Sequence, residues 1–186
     1  MKPAFLDVAF WGEGGSGGIN SHFLLQCGID GYTIRSPSIA QKGEEVTPLE
    51  GEYRHKLDAK GRLSLPAEFR KVLTPELKVI LSPLDDCLLV FEPEAYSEWV
   101  ENLFESKGGY SPSNRQMAAQ RKILNSRVKR CEIDNSGRIT ISAAQREAAG
   151  LDKEVVIIGD TDHFEIWDVD RWDAFCSEFD LASLMS

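Results

Sequence analysis

Short segments of this chain alternate between apolar and polar residues, which is the pattern of β-strands with one buried face. The first clear case runs from Glu52 to Asp58, and Arg62 to Leu65 alternates again after a polar turn at Ala59 to Gly61. This arrangement predicts a β-hairpin. Gly61 can supply the positive φ that a tight turn requires, and the Asp58 carboxylate can accept hydrogen bonds from backbone amides across the turn.

The pattern downstream of this hairpin predicts a helix, two strands and a second helix. Pro66 suits the first position of a helix, and Pro93 opens another. The apolar residues of the second helix recur at three- and four-residue steps, so we expect them to lie in the core rather than around a ligand. The predicted elements are a helix from Ala67 to Leu73, strands from Leu77 to Leu81 and from Cys87 to Glu92, and a helix from Pro93 with Tyr96, Trp99, Val100 and Leu103 on its apolar face.

The rest of the chain repeats this plan after a polar helix. Ser111-Pro112-Ser113 is typical of a helix start, and it leads into a predicted helix from Asn114 to Asn125 that offers Met117, Ala118 and Leu124 for packing. We then expect a strand that ends at Asp134, a turn, a strand from Arg138 to Ile141, a helix from Ala143 to Ala149, strands from Glu154 to Gly159 and from His163 to Asp168, and a helix from Asp170 to Phe179.

Both predicted turns carry the same pattern, Asp-x-x-Gly-Arg, at Asp58 to Arg62 and at Asp134 to Arg138, 76 residues apart. A duplicated unit is the simplest explanation. Each half is small and has strand edges to protect, so we expect an α+β fold in which the two halves interlock. Sliding one half onto the other without a gap pairs Arg54 with Arg130, Ala67 with Ala143, Arg70 with Arg146, Val79 with Val155 and Asp86 with Asp162.

Residues 1–45 do not belong to the repeat. They are rich in glycine and contain a G-x-G-x-x-G string at Gly12 to Gly17. A dinucleotide site needs that string inside a βαβ unit of a parallel sheet, so we expect a glycine turn between two strands instead. Lys42 to Glu45 can be encoded by a purine-rich stretch that resembles a ribosome-binding site, and Val46 by a GTG start codon. We therefore expect the natural chain to begin at Val46.

Composition excludes several classes of protein. The four cysteines form no C-x-x-C pair, and His22, His55 and His163 do not lie near them at zinc-ligand spacing, so we expect buried reduced thiols, no metal and no cofactor. No apolar run approaches the roughly 18 residues of a membrane helix, and the first residues are a poor secretion signal, so we expect a cytoplasmic protein. No P-loop, G-x-S-x-G or H-E-x-x-H is present, which argues against an enzyme.

The charge is unevenly distributed along the chain. A formal net charge of −9 argues against binding nucleic acid by bulk attraction. Six cations without an acid nevertheless lie between Arg115 and Arg130, either as a binding face or as solvated side chains.

Residues 52–70 and the run 151–159 followed by Phe164 to Trp167 resemble the MraZ family, within the AbrB/MraZ-type swapped-hairpin superfamily. The resemblance covers about residues 50–180. It implies a tandem, pseudo-twofold pair of AbrB-like swapped-hairpin β units with short helices. The two repeats would span residues 50–110 and 126–180, joined by a basic helix at 111–125. Several copies of the chain would assemble as a ring-shaped homo-oligomer. It also implies a nucleoid-associated transcriptional regulator that binds double-stranded DNA at short G-rich promoter repeats of the bacterial division and cell-wall gene cluster.

The resemblance places the functional motif on the two turns. An arginine after a turn glycine can project its guanidinium toward phosphate oxygens or toward O6 and N7 of guanine. Four further arginines recur at matched positions and could supply phosphate contacts, while solvated or structural ion-pair roles stay open for them: Arg54, Arg70, Arg130 and Arg146. The predicted DNA-binding residues are Arg62, Arg138, Lys60, Arg54 and Arg130, and the residues predicted to support the turns are Asp58, Gly61, Asp134 and Gly137.

One alternative from another class remains. An oligomeric AbrB-like module could bind a protein, as antitoxins bind toxins, without reading DNA sequence. Such an antitoxin more often carries one hairpin unit and a disordered tail, whereas this chain has two units and only residues 180–186 after them.

Overall fold

The computed structural model describes residues 48–179 and Ala182. The glycine-rich segment 1–45, its predicted strands and the expected start at Val46 lie outside these residues. The described residues form eight strands, β1 (Glu52–Lys56), β2 (Arg62–Ser64), β3 (Glu76–Leu81), β4 (Leu88–Phe91), β5 (Lys129–Glu132), β6 (Arg138–Thr140), β7 (Glu154–Asp160) and β8 (His163–Asp168). They also form five helices, α1 (Phe69–Val72), α2 (Pro93–Glu105), α3 (Arg115–Arg127), α4 (Ala143–Ala148) and α5 (Val169–Glu178).

These strands build two antiparallel sheets that both halves of the chain share. The larger sheet has six strands in the order β1-β7-β8-β4-β3-β5, and β2 pairs with β6 in a separate two-stranded ribbon. β1 therefore pairs with β7, β3 with β5, and β4 with β8, so that every strand of one half borders a strand of the other. The two halves share one fold because neither has enough strands to cover its own edges.

The prediction that β1 and β2 pair as a local hairpin is wrong. The turn itself forms, since the Asp58 amide donates to the Arg62 carbonyl at 3.0 Å and the Gly61 amide donates to the Asp58 carbonyl at 2.9 Å. Beyond it the two strands separate, and each pairs with the other half. This exchange gives every strand a partner and brings Leu63 and Ile139, both 0% exposed, to the middle of one shared core.

The gapless correspondence between the halves also needs a correction. Val79 lies opposite Val90 in one half, and Ile157 lies opposite Ile166 in the other. Val90 and Ile166 are 76 residues apart, but Val79 and Ile157 are 78 apart, so β7 is displaced by two residues from the predicted pairing of Val79 with Val155. A longer connection after α4 and a shorter turn before β8 accommodate the shift. Because side chains alternate with a period of two, a two-residue shift keeps every buried residue on its face.

Each face of the six-stranded sheet has its own core. One face packs against the β2–β6 ribbon and α1, where Leu63, Ile139, Phe69 and Phe164 are buried. The other face packs against the longer helices, and the predicted core positions Tyr96 and Val100 are buried there. Met117 and Leu124 of α3 pack at the margin of this second core. Burying each large apolar side chain contributes roughly 1.5–3 kcal/mol.

The cysteines follow the sequence prediction only in part. Cys87 is buried, Cys131 is half-buried, and Cys176 is exposed on α5. Burial raises the pKa of the Cys87 thiol well above its usual range, which keeps that thiol protonated. Within residues 48–179 and 182, the helices are too short or too polar to cross a membrane.

Candidate nucleic-acid interface

The turn between β1 and β2 is organised by the Asp58 carboxylate. Its Oδ1 accepts hydrogen bonds from the backbone amides of Lys60 at 2.8 Å and Arg62 at 2.9 Å, and its Oδ2 accepts one from Arg62 Nε at 2.5 Å. Gly61 has a φ of +75°, a left-handed conformation that glycine adopts without steric cost. One carboxylate thus closes the turn and orients the arginine that follows it.

The turn between β5 and β6 has the same arrangement although its middle residues differ. Asp134 Oδ1 accepts from the amides of Ser136 at 2.8 Å and Arg138 at 3.0 Å, and Oδ2 accepts from Arg138 Nε at 2.9 Å. Gly137 has a φ of +70°. The geometry therefore depends on the aspartate, the glycine and the arginine rather than on the two residues between them.

Both carboxylates are held in the ionised form. The backbone hydrogen bond from Arg62, with those from its side chain and from Lys60, lowers the pKa of Asp58 to about 2. The pKa of Asp134 is lowered first by the side-chain hydrogen bond from Arg138 and then by the backbone amides of the turn. The aspartates are therefore ionised at neutral pH, where their hydrogen bonds stabilise the turns.

The β2–β6 ribbon brings the two motif arginines onto one surface. Arg62 lies opposite Thr140 and Arg138 opposite Ser64, while Leu63 and Ile139 point from the other side of the ribbon into the core. The Cα atoms of Arg62 and Arg138 are therefore diagonal neighbours about 8 Å apart, from the rise per residue and the strand spacing. Their side chains keep 33% and 30% of their surface exposed. Nη1 and Nη2 of Arg62, and Nη1 of Arg138, have no hydrogen-bond partner in the described chain.

The other predicted DNA-binding residues lie in different places. Lys60 is exposed at the tip of the first turn, next to this surface. Arg54 is bound by Glu52 at 3.0 Å and by Asp173 of α5 at 2.6 Å. The hydrogen bond to Asp173, followed by the one to Glu52, raises the pKa of the Arg54 guanidinium above its ordinary value.

Arg130 lies on the edge strand β5, exposed and opposite Lys78. Lys78 points toward α2, where its Nζ lies 4.8 Å from the centre of the Tyr96 ring. Residues opposite each other in a ladder share a face, so Arg130 also lies on that helical side. The structure thus brings Arg62, Arg138 and Lys60 together and places Arg54 and Arg130 on the opposite face of the sheet.

Two arginines outside the predicted set lie at the turns. Arg146 of α4 covers Gly61, and Arg70 of α1 covers Gly137, so each turn is covered by an arginine from the other half. The turns are also joined to the opposite half by matching backbone bonds: the Ile141 amide donates to the Gly61 carbonyl at 2.8 Å, and the Leu65 amide donates to the Gly137 carbonyl at 3.0 Å. In the sequence, the only indication of a shared role for Arg70 and Arg146 was that they recur at matched positions of the repeat.

The basic stripe from Arg115 to Arg130 lies largely on α3, on the side of the second core. Asn114 caps this helix by accepting hydrogen bonds from the amides of Gln116 and Met117. The Arg121 guanidinium lies 4.6 Å from the centre of the Tyr110 ring. The α3 part of this stripe is therefore separate from the β2–β6 ribbon, whereas Lys129 of β5 lies opposite Val79, on the face of the first core.

Residues around His163 form an acidic group that the sequence did not suggest. Nδ1 of this buried histidine lies 2.7 Å from Asp162 Oδ1, and Nε2 lies 3.9 Å from Asp160 and 3.8 Å from Glu165. Burial alone would lower the pKa of His163, but the hydrogen bond with Asp162 and the neighbouring carboxylates outweigh it and raise the pKa to about 9. The donor types are those of a metal site, and the protonated imidazole offsets one of the three carboxylate charges around it.

A comparison with known proteins identifies a family that this chain matches. Residues 49–116 and 126–186 match the family described as "MraZ protein, putative antitoxin-like". Both turns and the whole β2–β6 ribbon lie inside the matched residues.

Several curated relatives cover most of the same region. The transcriptional regulator MraZ of Ligilactobacillus salivarius is 42% identical over 129 residues, which are 69% of this chain and 86% of the relative. That of Moorella thermoacetica is 40% identical over the same shares, and that of Lachnoclostridium phytofermentans is 36% identical over 67% of this chain and 84% of its own. These relatives are named as regulators and not as enzymes, in agreement with the prediction from the missing catalytic motifs.

Proposed function

Since the chain belongs to the MraZ family of transcriptional regulators, we propose that it binds double-stranded promoter DNA through the outer face of the β2–β6 ribbon. The observation that carries this proposal is the pair of half-buried arginines, Arg62 and Arg138, each pre-oriented by an aspartate on one shared surface. A two-stranded ribbon fits the major groove of B-DNA. Lys60 adds a cation at the tip of the first turn.

The free edges of the two guanidiniums suit the recognition of guanine. Arginine binds O6 and N7 of guanine with two parallel hydrogen bonds, which is the most common specific contact in protein–DNA complexes. Because Asp58 and Asp134 restrain the arginines before binding, little side-chain entropy is lost on contact. This arrangement favours short G-rich repeats, which we propose lie in the promoter of the division and cell-wall gene cluster.

Assembly would compensate for the small contact surface and the net charge of −9. We propose that the halves are tandem AbrB-type swapped-hairpin units related by a pseudo-twofold axis, and that several chains form a ring in the nucleoid. The exchanged strand partners and the reciprocal bonds at Gly61 and Gly137 support the first part. A ring repeats the two-arginine surface at a fixed spacing, so repeated DNA motifs can be bound with avidity.

The test uses a DNA duplex from the region upstream of the gene that encodes this chain, and a scrambled duplex of equal length. Binding of the protein to the two duplexes is compared at two salt concentrations. The double variant Arg62→Ala/Arg138→Ala should lose the preference for its own duplex while its oligomer size, measured by light scattering, stays unchanged. Arg54→Ala is the control, because that arginine is occupied by acids on the opposite face. Unchanged preference in the double variant would refute the proposed interface, and would direct attention to the α3 stripe.

A second candidate follows from the antitoxin-like description of the family. In this alternative the chain is an oligomeric module that binds a protein and does not read DNA sequence. A wild-type protein that prefers neither duplex, at either salt concentration, would favour it.

A further inference from the structure

Each turn glycine is packed against a guanidinium from the other half of the chain. A Cβ added to Gly61 would lie 1.7 Å from Arg146 Nη1, and a Cβ added to Gly137 would lie 2.2 Å from Arg70 Cδ and 2.7 Å from Arg70 Nη1. Such distances are far below contact, so both arginines occupy space that only glycine leaves open. The glycines thus serve two purposes, a left-handed turn and room for an arginine.

Neither of these guanidiniums is neutralised by a carboxylate of the described chain. Arg146 Nη1 donates one hydrogen bond, to the Ile141 carbonyl at 3.3 Å, and the Arg70 guanidinium donates none within the described residues. Arg171 shows the contrast: it covers Gly150 in a similar way, but its Nη1 is bound by Asp86 at 2.7 Å. Arg70 and Arg146 are therefore held by packing and keep donors available for an anion.

The surroundings of Arg146 form an open cleft of about 350 Å³ beside the first turn. Lys153 adds a second cation to this cleft. Asp58 and Asp152 also line it, but the Asp58 carboxylate is already satisfied by Arg62 and by the turn amides. Arg62 itself is the neighbour of Gly61, so the cleft adjoins the proposed DNA-binding surface.

We propose that Arg70 and Arg146 bind phosphate oxygens of the DNA backbone on either side of the bases contacted by Arg62 and Arg138. Each contact site is then composite, because the turn comes from one half and the phosphate-binding arginine from the other. The inference rests on the proposed function, and it adds a division of roles: the ribbon arginines read bases, and the helix arginines position the ribbon on the duplex. Neither half of the chain could form a complete site alone.

The test measures the salt dependence of binding by the full chain. For the double variant Arg70→Gln/Arg146→Gln, the slope of log Kobs against log[salt] should become shallower by about 2 for each subunit that contacts the duplex, from roughly 0.9 per phosphate contact. Affinity should fall by the same factor for the upstream duplex and for the scrambled one, because phosphate contacts carry no sequence information. Arg171→Gln is the matched control, and its slope should equal that of the wild type.

Further variants separate a binding role from a structural one. Arg70→Lys/Arg146→Lys keeps both charges and should recover most of the slope, whatever the Gln variant does to stability. A Lys variant with a wild-type slope and a Gln variant with a shallower slope support the inference. An unchanged slope in a folded Gln variant, or a loss confined to the upstream duplex, overturns it. Absence of DNA binding by the wild type would overturn the proposed function as well, so the two failures are distinguishable.

Discussion

Substitution of Gly61 by alanine tests the most constrained position of the interface. The new Cβ would lie 2.5 Å from the Ile141 carbonyl oxygen as well as against Arg146. The arginine can swing away, but the carbonyl cannot, because Ile141 is 1% exposed and its amide donates to the Gly61 carbonyl at 2.8 Å. The substitution must therefore move the backbone where the first turn meets the second half.

Gly108 offers a control that separates backbone conformation from crowding. Its φ is +89°, but a Cβ added there would have no atom within 4 Å. Alanine in a left-handed conformation costs about 1–2 kcal/mol, which applies to both substitutions. Crowding in a well-packed region adds about 1–3 kcal/mol for Gly61→Ala alone. We expect a total loss of roughly 2–5 kcal/mol for Gly61→Ala and about 1–2 kcal/mol for Gly108→Ala.

The assay is urea unfolding followed by tryptophan fluorescence and circular dichroism, at one protein concentration for all variants. Equal losses of unfolding free energy for Gly61→Ala and Gly108→Ala, with unchanged m-values, would refute the reasoning. DNA binding provides a second readout. Gly61→Ala should also displace Arg146 and make the slope of log Kobs against log[salt] shallower, whereas Gly108→Ala should leave this slope unchanged.

Two further predictions concern the core and the pH dependence of stability. Leu63→Ala should lower the unfolding free energy by about 3–5 kcal/mol, because Leu63 is 0% exposed between the ribbon and the sheet. Leu84 is 89% exposed, so the control Leu84→Ala should change the unfolding free energy by less than about 0.5 kcal/mol. Similar losses for the two variants in urea unfolding would contradict the described core. The raised pKa of His163, about 9 against 6.5, means that its protonated form stabilises the fold fully below pH 6.5 and that this stability is lost as the pH rises through 9. His163→Gln should flatten the stability profile between these values, and a wild-type profile in that variant would contradict the assignment.

Local patterns in the sequence were enough to predict the order and the type of the helices and strands. Period-two alternation and proline positions located β8 at its observed bounds, and α2 at its observed start. The turn chemistry was predictable for the same reason, since an aspartate that binds amides and a glycine with positive φ act within five residues. The family resemblance, carried by these turns and their flanks, was confirmed by the family match.

The grouping of the arginines could not be derived from local patterns. Arg54, Arg62, Arg130 and Arg138 all flank the turns in the sequence, yet two face acids or helices on one side of the sheet and two share the ribbon on the other. Arg70 and Arg146 reach the turns from helices of the opposite half. Which cations form one surface depends on how strands and helices cross between the halves.

The elements, the duplicated turns and the residues that face a core could be read from the sequence, because they follow from side-chain periodicity and short-range hydrogen bonding. The three-dimensional arrangement was needed to show that β1 and β2 pair with the opposite half, that β7 is displaced by two residues, and that each turn is covered by an arginine from the other half. These features escape local patterns because the edge of a β-strand offers the same backbone donors and acceptors to any partner. Alternation selects a face, but only burial of the shared core selects the neighbour.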